Sequence, residues 1–233
     1  MKKLLISVFA IGIVFLTSVS VTECGAQVIP EILKRMDAHN KALQTLKADI
    51  TMRKFDATLK VTDTRTGSTS YLPAKTKGKR AFRLDWATEN GRALSESIAA
   101  VGEDVQAYQP RLNLIRVGKT QQSKGSEGLG SAFAFLNMSK AEIKANYDVV
   151  YLGDEQIETG ERTWHLQLTP NKAAKYKNAE IWVDTDGMPR QMKINEVNKD
   201  YTAILLSRIK KNDRIDTKIF KINYPSGTRV DKF

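Results

Sequence analysis

The sequence predicts a mainly β protein in which one long antiparallel sheet has helices covering its apolar face. Three observations predict it. Apolar residues recur at every second position through most of the chain, a helical pattern precedes the strands, and a short apolar insert separates two runs of strands. Successive side chains of a strand point to opposite faces, so each strand has one apolar face. That face has to be covered by another element or by a ligand.

The first residues have the pattern of an export signal. Lys2 and Lys3 precede an apolar run over 4–16, and small residues follow at 24–26. This predicts a cleavable signal peptide over residues 1–26, because the apolar run is shorter than the roughly 20 residues that a membrane span needs. We therefore expect a periplasmic location.

Residues 27–233 are predicted to form a single domain, since no Pro-rich or Ser/Gly-rich linker and no fixed-period repeat divides them. Cys24 is the only cysteine. The glycine after it suits a lipid-modified N-terminus, whereas Glu23 before it does not, so lipidation of Cys24 stays open. Cleavage after Ala26 leaves no cysteine for a disulfide or for thiolate chemistry.

The chain is strongly basic, with a formal net charge of +11 at pH 7. The basic residues are scattered rather than interleaved with aromatic residues along one stripe, and export argues against nucleic acid as a partner. The densest group is Lys75, Lys77, Lys79 and Arg80. It predicts either a solvated loop or a transient contact with anionic membrane headgroups or an acidic partner.

The helical pattern covers about residues 29–46. Pro30 suits a first helical turn, and apolar residues then recur at steps of three and four, as in an amphipathic helix. The period next changes to two, with a slip near Phe55 that predicts a bulge or bend. Asn90-Gly91 predicts a turn. About five strands are predicted in this half, within 46–61, 82–86, 98–108 and 112–117.

A glycine-flanked apolar insert interrupts the strands. Three glycines within 125–130 lead into an apolar stretch over 129–136, and glycine suits the hinge of a mobile lid. Ser139 with Glu142 forms a capping-box pattern that predicts a short helix over 140–146. About six further strands are predicted from the alternation of Tyr147, Val149 and Tyr151, of Trp164, Leu166 and Leu168, of Ile181 and Val183, of Met192 and Ile194, of Tyr201, Ala203 and Leu205, and from the apolar residues between Phe220 and Val230.

Catalytic and metal-binding patterns are weak. His39 and His165 give no ligand spacing, so we expect surface or structural roles for both. Asp184 and Asp186 flank a turn without the longer acidic series of a calcium loop. The sequence contains no nucleophile elbow and no complete phosphate loop. We therefore expect no enzyme, no cofactor and no metal; an exported hydrolase with scattered acidic catalysts is the alternative from a different class.

Several motifs follow one another along the chain in an order similar to that of a known family. The motifs are 46–50, 82–86, Trp164-His165-Leu166-Gln167-Leu168-Thr169-Pro170, Ile181-Trp182-Val183-Asp184, Asp186-Gly187, Glu196, Asp200, Thr202, Lys218, Phe220, Pro225, Gly227, Val230 and Asp231. By these motifs the chain resembles the outer-membrane lipoprotein carrier proteins of the LolA/LolB type and their lipoprotein-sorting relatives, over nearly all of its predicted mature part.

The resemblance implies a half-open antiparallel β-barrel of about eleven strands, covered by helices, that holds acyl chains in its interior. It also implies an ATP-driven inner-membrane complex that loads the carrier and an outer-membrane acceptor; we expect a monomer. In the carriers an arginine and a following proline, shortly before the strand at 82–86, help to hold the lid. Here that stretch reads Lys77-Gly78-Lys79-Arg80-Ala81, so the basic residue with this task stays open.

The apolar strand residues form the candidate lipid site. A 16-carbon acyl chain gains on the order of 10 kcal/mol at roughly 0.8 kcal/mol per buried CH₂, so a lid has to compete for the same surface. The predicted function is chaperone-like transport of lipoproteins, by their acyl chains, from the inner to the outer membrane; the alternative on the same scaffold is a carrier or sensor of phospholipid or another lipid. The predicted lid residues are Leu33, Met36, Leu129 and Phe133. The predicted cavity lining is Phe82, Leu84, Trp86, Tyr108, Leu114, Trp164, Leu166, Leu168, Ile181, Val183, Met192, Ile194, Leu205 and Phe220.

Overall fold

The computed structural model describes residues 23–74, 79–119 and 138–233. The helices in these ranges are α1 (Glu23–Ala42) and α2 (Lys140–Asn146), and 3-10 turns lie at Pro110–Leu112 and Thr217–Phe220. The strands are β1 (Leu46–Asp56), β2 (Val61–Leu72), β3 (Ala81–Glu89), β4 (Arg92–Val101), β5 (Asp104–Gln109), β6 (Leu114–Lys119), β7 (Tyr147–Gln156), β8 (Arg162–Pro170), β9 (Tyr176–Val183), β10 (Pro189–Glu196), β11 (Tyr201–Lys211) and β12 (Arg229–Lys232).

The described strands form one sheet in the spatial order β12-β6-β5-β4-β3-β2-β1-β11-β10-β9-β8-β7. β12 and β7 are its two edges, and these strands do not close into a barrel. Neighbours run antiparallel except β12, which lies parallel to β6. The predicted mainly β fold, an open antiparallel sheet with helices, is confirmed. The sheet has twelve strands rather than about eleven.

α1 packs against one face of the sheet, which we call the inner face; the other is the outer face. Ile32, Leu33 and Met36 of α1 are at most 1% exposed and belong to the core cluster of the inner face. Their spacing of one, three and four residues gives the helix one apolar stripe. The helix was expected over 29–46, but it ends at Ala42, and residue 46 already begins β1.

The end of α1 is joined to the end of β11. The side-chain Oδ1 of Asn212 accepts the backbone N–H of Gln44 at 2.7 Å, and the backbone N–H of Asn212 donates to the Thr45 carbonyl at 2.8 Å. These bonds satisfy polar groups that a helix end leaves free. The helix therefore stops where a distant strand supplies its partners.

The predicted capping box at the start of α2 is confirmed. Ser139 Oγ accepts the backbone N–H of Glu142 at 3.1 Å, and Glu142 Oε2 accepts the backbone N–H of Ser139 at 2.8 Å. Ile143 of this helix is buried in the inner-face cluster. Asn40 of α1 donates from Nδ2 to the Met138 carbonyl at 3.1 Å, which links the two helices.

Several sequence expectations fall outside the described residues: most of the signal peptide over 1–22, the basic residues Lys75 and Lys77, the glycines of 125–130 and the apolar insert of 129–136. The expected cleavage position after Ala26 lies in the first turns of α1. Neither described helix combines the length and the apolar character that crossing a membrane requires.

Candidate functional site

The inner face carries one continuous apolar cluster that extends from β7 to β4 and includes the buried side of α1. Most of the predicted cavity residues belong to it, because their strands present them on the same face as α1. Those in the cluster are Phe82, Leu84, Trp86, Trp164, Leu166, Leu168, Ile181, Val183, Met192 and Ile194. Leu114 is buried outside this cluster; it pairs with Gln109, and its register places it on the inner face.

Leu205 lies on the outer face, so its placement in the cavity was wrong. Ile204 pairs with Met192 of the inner cluster, and Leu205, one residue further on, points the other way. It packs with Ile157 and Trp182 in a separate cluster. Both alternating series of β11 contain apolar residues, and the period alone did not distinguish the two faces.

Tyr108 and Phe220 also lie on the outer face, contrary to expectation. Tyr108 packs in a small outer cluster with Ile222. Phe220 is not in a strand but closes a 3-10 turn, in which the carbonyl of Ile219 accepts a hydrogen bond from Arg83 Nη1 at 2.8 Å. The C-terminal segment thus crosses the outer face of β3 and β4 and covers it, where alternation had predicted another inward-facing strand.

Several inner-face residues were not predicted as lining. They come from strands whose alternation is visible in the sequence, β1 and β11 above all, or from short elements without a period of their own. The main ones are Ile50, Tyr71, Leu94, Ile143, Ala179, Met188, Ile204 and Leu206. The lid residues Leu33 and Met36 pack in this cluster, whereas Leu129 and Phe133 lie outside the described residues.

Arg35 ties α1 to the turn between β9 and β10. Its Nη1 donates to the Thr185 carbonyl at 2.9 Å, its Nε donates to Glu31 at 3.0 Å, and its guanidinium lies 5.3 Å from the centre of the Trp164 ring. Gly187 in the same turn has φ +88°, and a Cβ there would come within 2.3 Å of the Arg35 backbone. The helix backbone therefore rests directly on the turn, and a basic residue of the helix itself supplies the tether.

His39 is buried on the same side of α1, with 9% of its surface exposed. Burial lowers the pKa of its imidazole, and the nearby Lys211 lowers this pKa further, while Asp184 and Asp186 oppose the shift. The neutral imidazole is thus the form that suits the packed helix. Its position gives this histidine a structural role.

Two openings reach the inner cluster from opposite ends of β3. The larger one, about 740 Å³, lies at the β4–β5 turn and the C-terminal half of α1; Asp37, Asn40, Lys41, Tyr71, Pro73, Ala74, Arg80, Gly102, Glu103 and Ser139 line it. The smaller one, about 390 Å³, lies at the β3–β4 turn and is lined by Glu89, Asn90, Arg92, Ala93, Leu94 and Arg111. Tyr71 and Leu94 belong to the inner cluster, so each opening has a wall that continues into it.

His165 lies on the outer face between two carboxylates. Its Nδ1 is 2.9 Å from Glu155 and its Nε2 is 3.0 Å from Glu180, and its ring stacks on Trp182 at 4.1 Å. The hydrogen bond from His165, with further contributions from Asn195 and Lys193, lowers the pKa of Glu180 to about 2. This cluster stabilises the outer surface of β8, β9 and β10.

Asp184 has the turn role that was expected of it. Its Oδ1 accepts the backbone N–H groups of Asp186 at 3.0 Å and Met188 at 2.9 Å. Within the described part of the chain, no three His, Cys, Asp or Glu side chains are arranged to hold a metal ion.

These features define a class of protein, an open β-sheet whose single apolar face is covered by helices. The sequence profile of the family described as outer membrane lipoprotein carrier protein LolA matches residues 42–223. The chain therefore belongs to this family, and the resemblance found in the sequence is confirmed. No curated protein matches the chain in a sequence comparison.

Solved structures show the same fold at low identity. An uncharacterized conserved protein from Thermus thermophilus is similar with a TM-score of 0.56 and 14% identity, over 89% of this chain and 100% of that one. MucB is similar with a TM-score of 0.55 and 13% identity, over 84% of this chain and 63% of MucB, less than two thirds of its length. The lipoprotein LppX of Mycobacterium tuberculosis gives 0.47 and 14%, over 80% of this chain and 98% of LppX.

Proposed function

We propose that this protein is a periplasmic, non-enzymatic carrier that binds the acyl chains of lipoproteins on its inner face and delivers them from the inner to the outer membrane. The observation that supports the proposal most is the continuous apolar cluster of the inner face beneath α1. Membership of the lipoprotein carrier family supports lipoproteins as the cargo. An ATP-driven inner-membrane complex and an outer-membrane acceptor are the partners that this role requires, and the carrier acts as a monomer.

α1 and the cargo compete for one surface in this proposal. Ile32, Leu33 and Met36 of α1 are fully buried against the sheet, and each such side chain contributes roughly 1.5–3 kcal/mol. Their sum is of the same order as the roughly 10 kcal/mol that a 16-carbon chain gains on burial. Cargo can therefore displace the helix, and the helix can in turn release the cargo.

The same proposal assigns the inner-face members of the predicted lining to the acyl chains and Leu33 and Met36 to the lid. Leu129 and Phe133 are proposed as further lid residues. Phe133→Asp is then expected to weaken acyl binding and leave the sheet folded. Far-UV circular dichroism and binding of a fluorescent 16-carbon fatty acid measure the two effects separately.

Met36→Ala tests the competition directly. It removes part of the apolar side of α1, at a cost of about 2–5 kcal/mol for a buried methionine. If α1 competes with cargo, a weaker cover raises the affinity for the fluorescent fatty acid by at least about tenfold, since each 1.4 kcal/mol is a factor of ten. Lys34→Ala is the matched control, because the Lys34 side chain is 74% exposed on the same helix.

An ordinary core gives a different result, namely lower stability of Met36→Ala without acyl binding by either protein. Native mass spectrometry of the protein purified from the periplasm identifies the cargo. Bound lipoprotein or its acylated peptide supports the proposal, whereas bound phospholipid points to a carrier or sensor of free lipid on the same scaffold. Absence of acyl binding in both experiments refutes the carrier role.

A further inference from the structure

The indole N–H of Trp86 is buried on the inner face with no hydrogen-bond partner in the described structure. Trp86 is 2% exposed, and its Nε1 is inaccessible to solvent. A buried donor without an acceptor destabilises a protein, and a buried tryptophan usually finds a partner for its N–H. Since folded proteins retain few such groups, an unpaired donor on a binding face indicates that a ligand supplies the acceptor.

The strand neighbours of Trp86 do not supply that acceptor. Trp86 pairs with Gly67 of β2 and with Glu96 of β4. The Glu96 carboxylate faces the same side, but it accepts from Gln109 Nε2 at 3.0 Å and pairs with Arg65 at 3.5 Å. Gly67 has no side chain, and a Cβ there would lie 2.1 Å from the backbone of β3. The nearest carboxylate across the strand pair is therefore already engaged.

Trp86 lies near the smaller of the two openings. Leu94, which forms part of the wall of that opening, belongs to the same inner cluster as Trp86. Arg92 and Arg111 stand at its rim, which suits the polar end of an amphiphile rather than its tail. In the other direction the inner face continues along β3 from Trp86 to Phe82, the partner of Tyr71, over roughly 13 Å at about 3.3 Å per residue.

We infer that the Trp86 indole donates its Nε1–H to the carbonyl oxygen of a bound acyl ester or amide. The inference rests on the proposed carrier function and adds the orientation of the cargo. The headgroup leaves through the opening at the β3–β4 turn, and the hydrocarbon runs along β3 toward Tyr71. The site therefore prefers an acyl ester to an ether of equal length, because the ether lacks the carbonyl acceptor.

The direct test observes the indole proton. The protein has three tryptophans, so selective ¹⁵N-tryptophan labelling gives three indole signals, assigned with single Trp→Phe variants. Methyl palmitate and hexadecyl methyl ether are delivered from cyclodextrin. We expect the Trp86 indole proton to move downfield with the ester and not with the ether. Trp182 is the internal control, because its Nε1 donates to Glu155 at 2.8 Å on the outer face.

Affinities provide the second measurement. We expect the wild-type protein to prefer the ester by about three- to tenfold, the range that one buried hydrogen bond supplies. Trp86→Phe should abolish this preference. Trp164→Phe, the same substitution on the same face, should change both affinities alike and keep the preference.

The outcomes separate this inference from the carrier role. If both ligands bind but the Trp86 signal moves equally with ester and ether, the assignment of Trp86 is overturned while the carrier proposal stands. If neither ligand binds, the carrier proposal fails and this inference fails with it. The labelled wild-type protein decides the question even if Trp86→Phe does not fold.

Discussion

Gly187→Ala is expected to loosen α1 from the sheet. Gly187 lies in the β9–β10 turn with φ +88°, and its missing Cβ leaves the space in which the helix backbone rests. An added Cβ would lie 2.3 Å from the carbonyl carbon and oxygen of Arg35 and 2.6 Å from the nitrogen of Met36. These are backbone atoms, so no side-chain rotation relieves the contact, and the helix has to move.

The magnitude follows from two contributions. A left-handed conformation costs a non-glycine residue roughly 1–2 kcal/mol. Carbon atoms pack at about 3.5–4.0 Å, so the helix has to retreat by about 1 Å or more, which weakens the packing of Ile32, Leu33 and Met36. We expect a total loss of about 3 kcal/mol or more in the free energy of unfolding.

Gly91→Ala separates the two contributions. Gly91 has φ +77° in the β3–β4 turn, and a Cβ there would meet no atom within 4 Å. This control should therefore lose only about 1–2 kcal/mol, the cost of the left-handed conformation. Urea unfolding measures both variants, and hydrogen exchange of α1 shows whether the helix itself has loosened.

The reasoning is refuted if Gly187→Ala and Gly91→Ala lose the same stability within about 0.5 kcal/mol and α1 keeps its protection from exchange. If α1 loosens as expected, the carrier proposal adds a further consequence. Gly187→Ala should then bind the fluorescent fatty acid more tightly than the wild-type protein, as Met36→Ala should.

Two further predictions concern pH. Hydrogen bonding from His165 lowers the pKa of Glu180 to about 2, so the stabilisation by the ionised carboxylate is complete above its ordinary pKa of 4.5 and is lost as the pH falls toward 2. Glu180→Gln should cost on the order of 2 kcal/mol near pH 7 and flatten the acid limb in urea unfolding; an unchanged acid limb contradicts this. Burial lowers the pKa of His39 below 6.5, so the unfolded chain binds its proton first, and stability falls as the pH drops through this region. His39→Gln should remove that part of the pH dependence of α1 exchange, and equal dependence in both proteins would argue against it.

Most of the sheet could be predicted because its signals are local. The alternation of Trp164, Leu166 and Leu168, the Asn90-Gly91 turn and the Ser139–Glu142 capping box all depend on residues close together in the chain. Ten of the predicted lining residues accordingly fall in the inner cluster.

The errors have a common cause. Leu205 belongs to a strand with apolar residues on both faces, and Phe220 lies in a segment whose alternation does not arise from sheet pairing. In both cases the neighbours that decide the outcome, Trp182 for Leu205 and Arg83 for the turn of Phe220, are distant in the sequence.

The sequence by itself determined the β class, the family, and the positions of most strands and turns, because hydrophobic period and turn chemistry act over a few residues. Only the tertiary structure decided which side of β11 faces inward, where the C-terminal segment crosses, and that Arg35 of the helix holds the cover by bonding to Thr185. Those outcomes depend on contacts between residues far apart along the chain, and a local pattern carries no record of which distant partner will meet it.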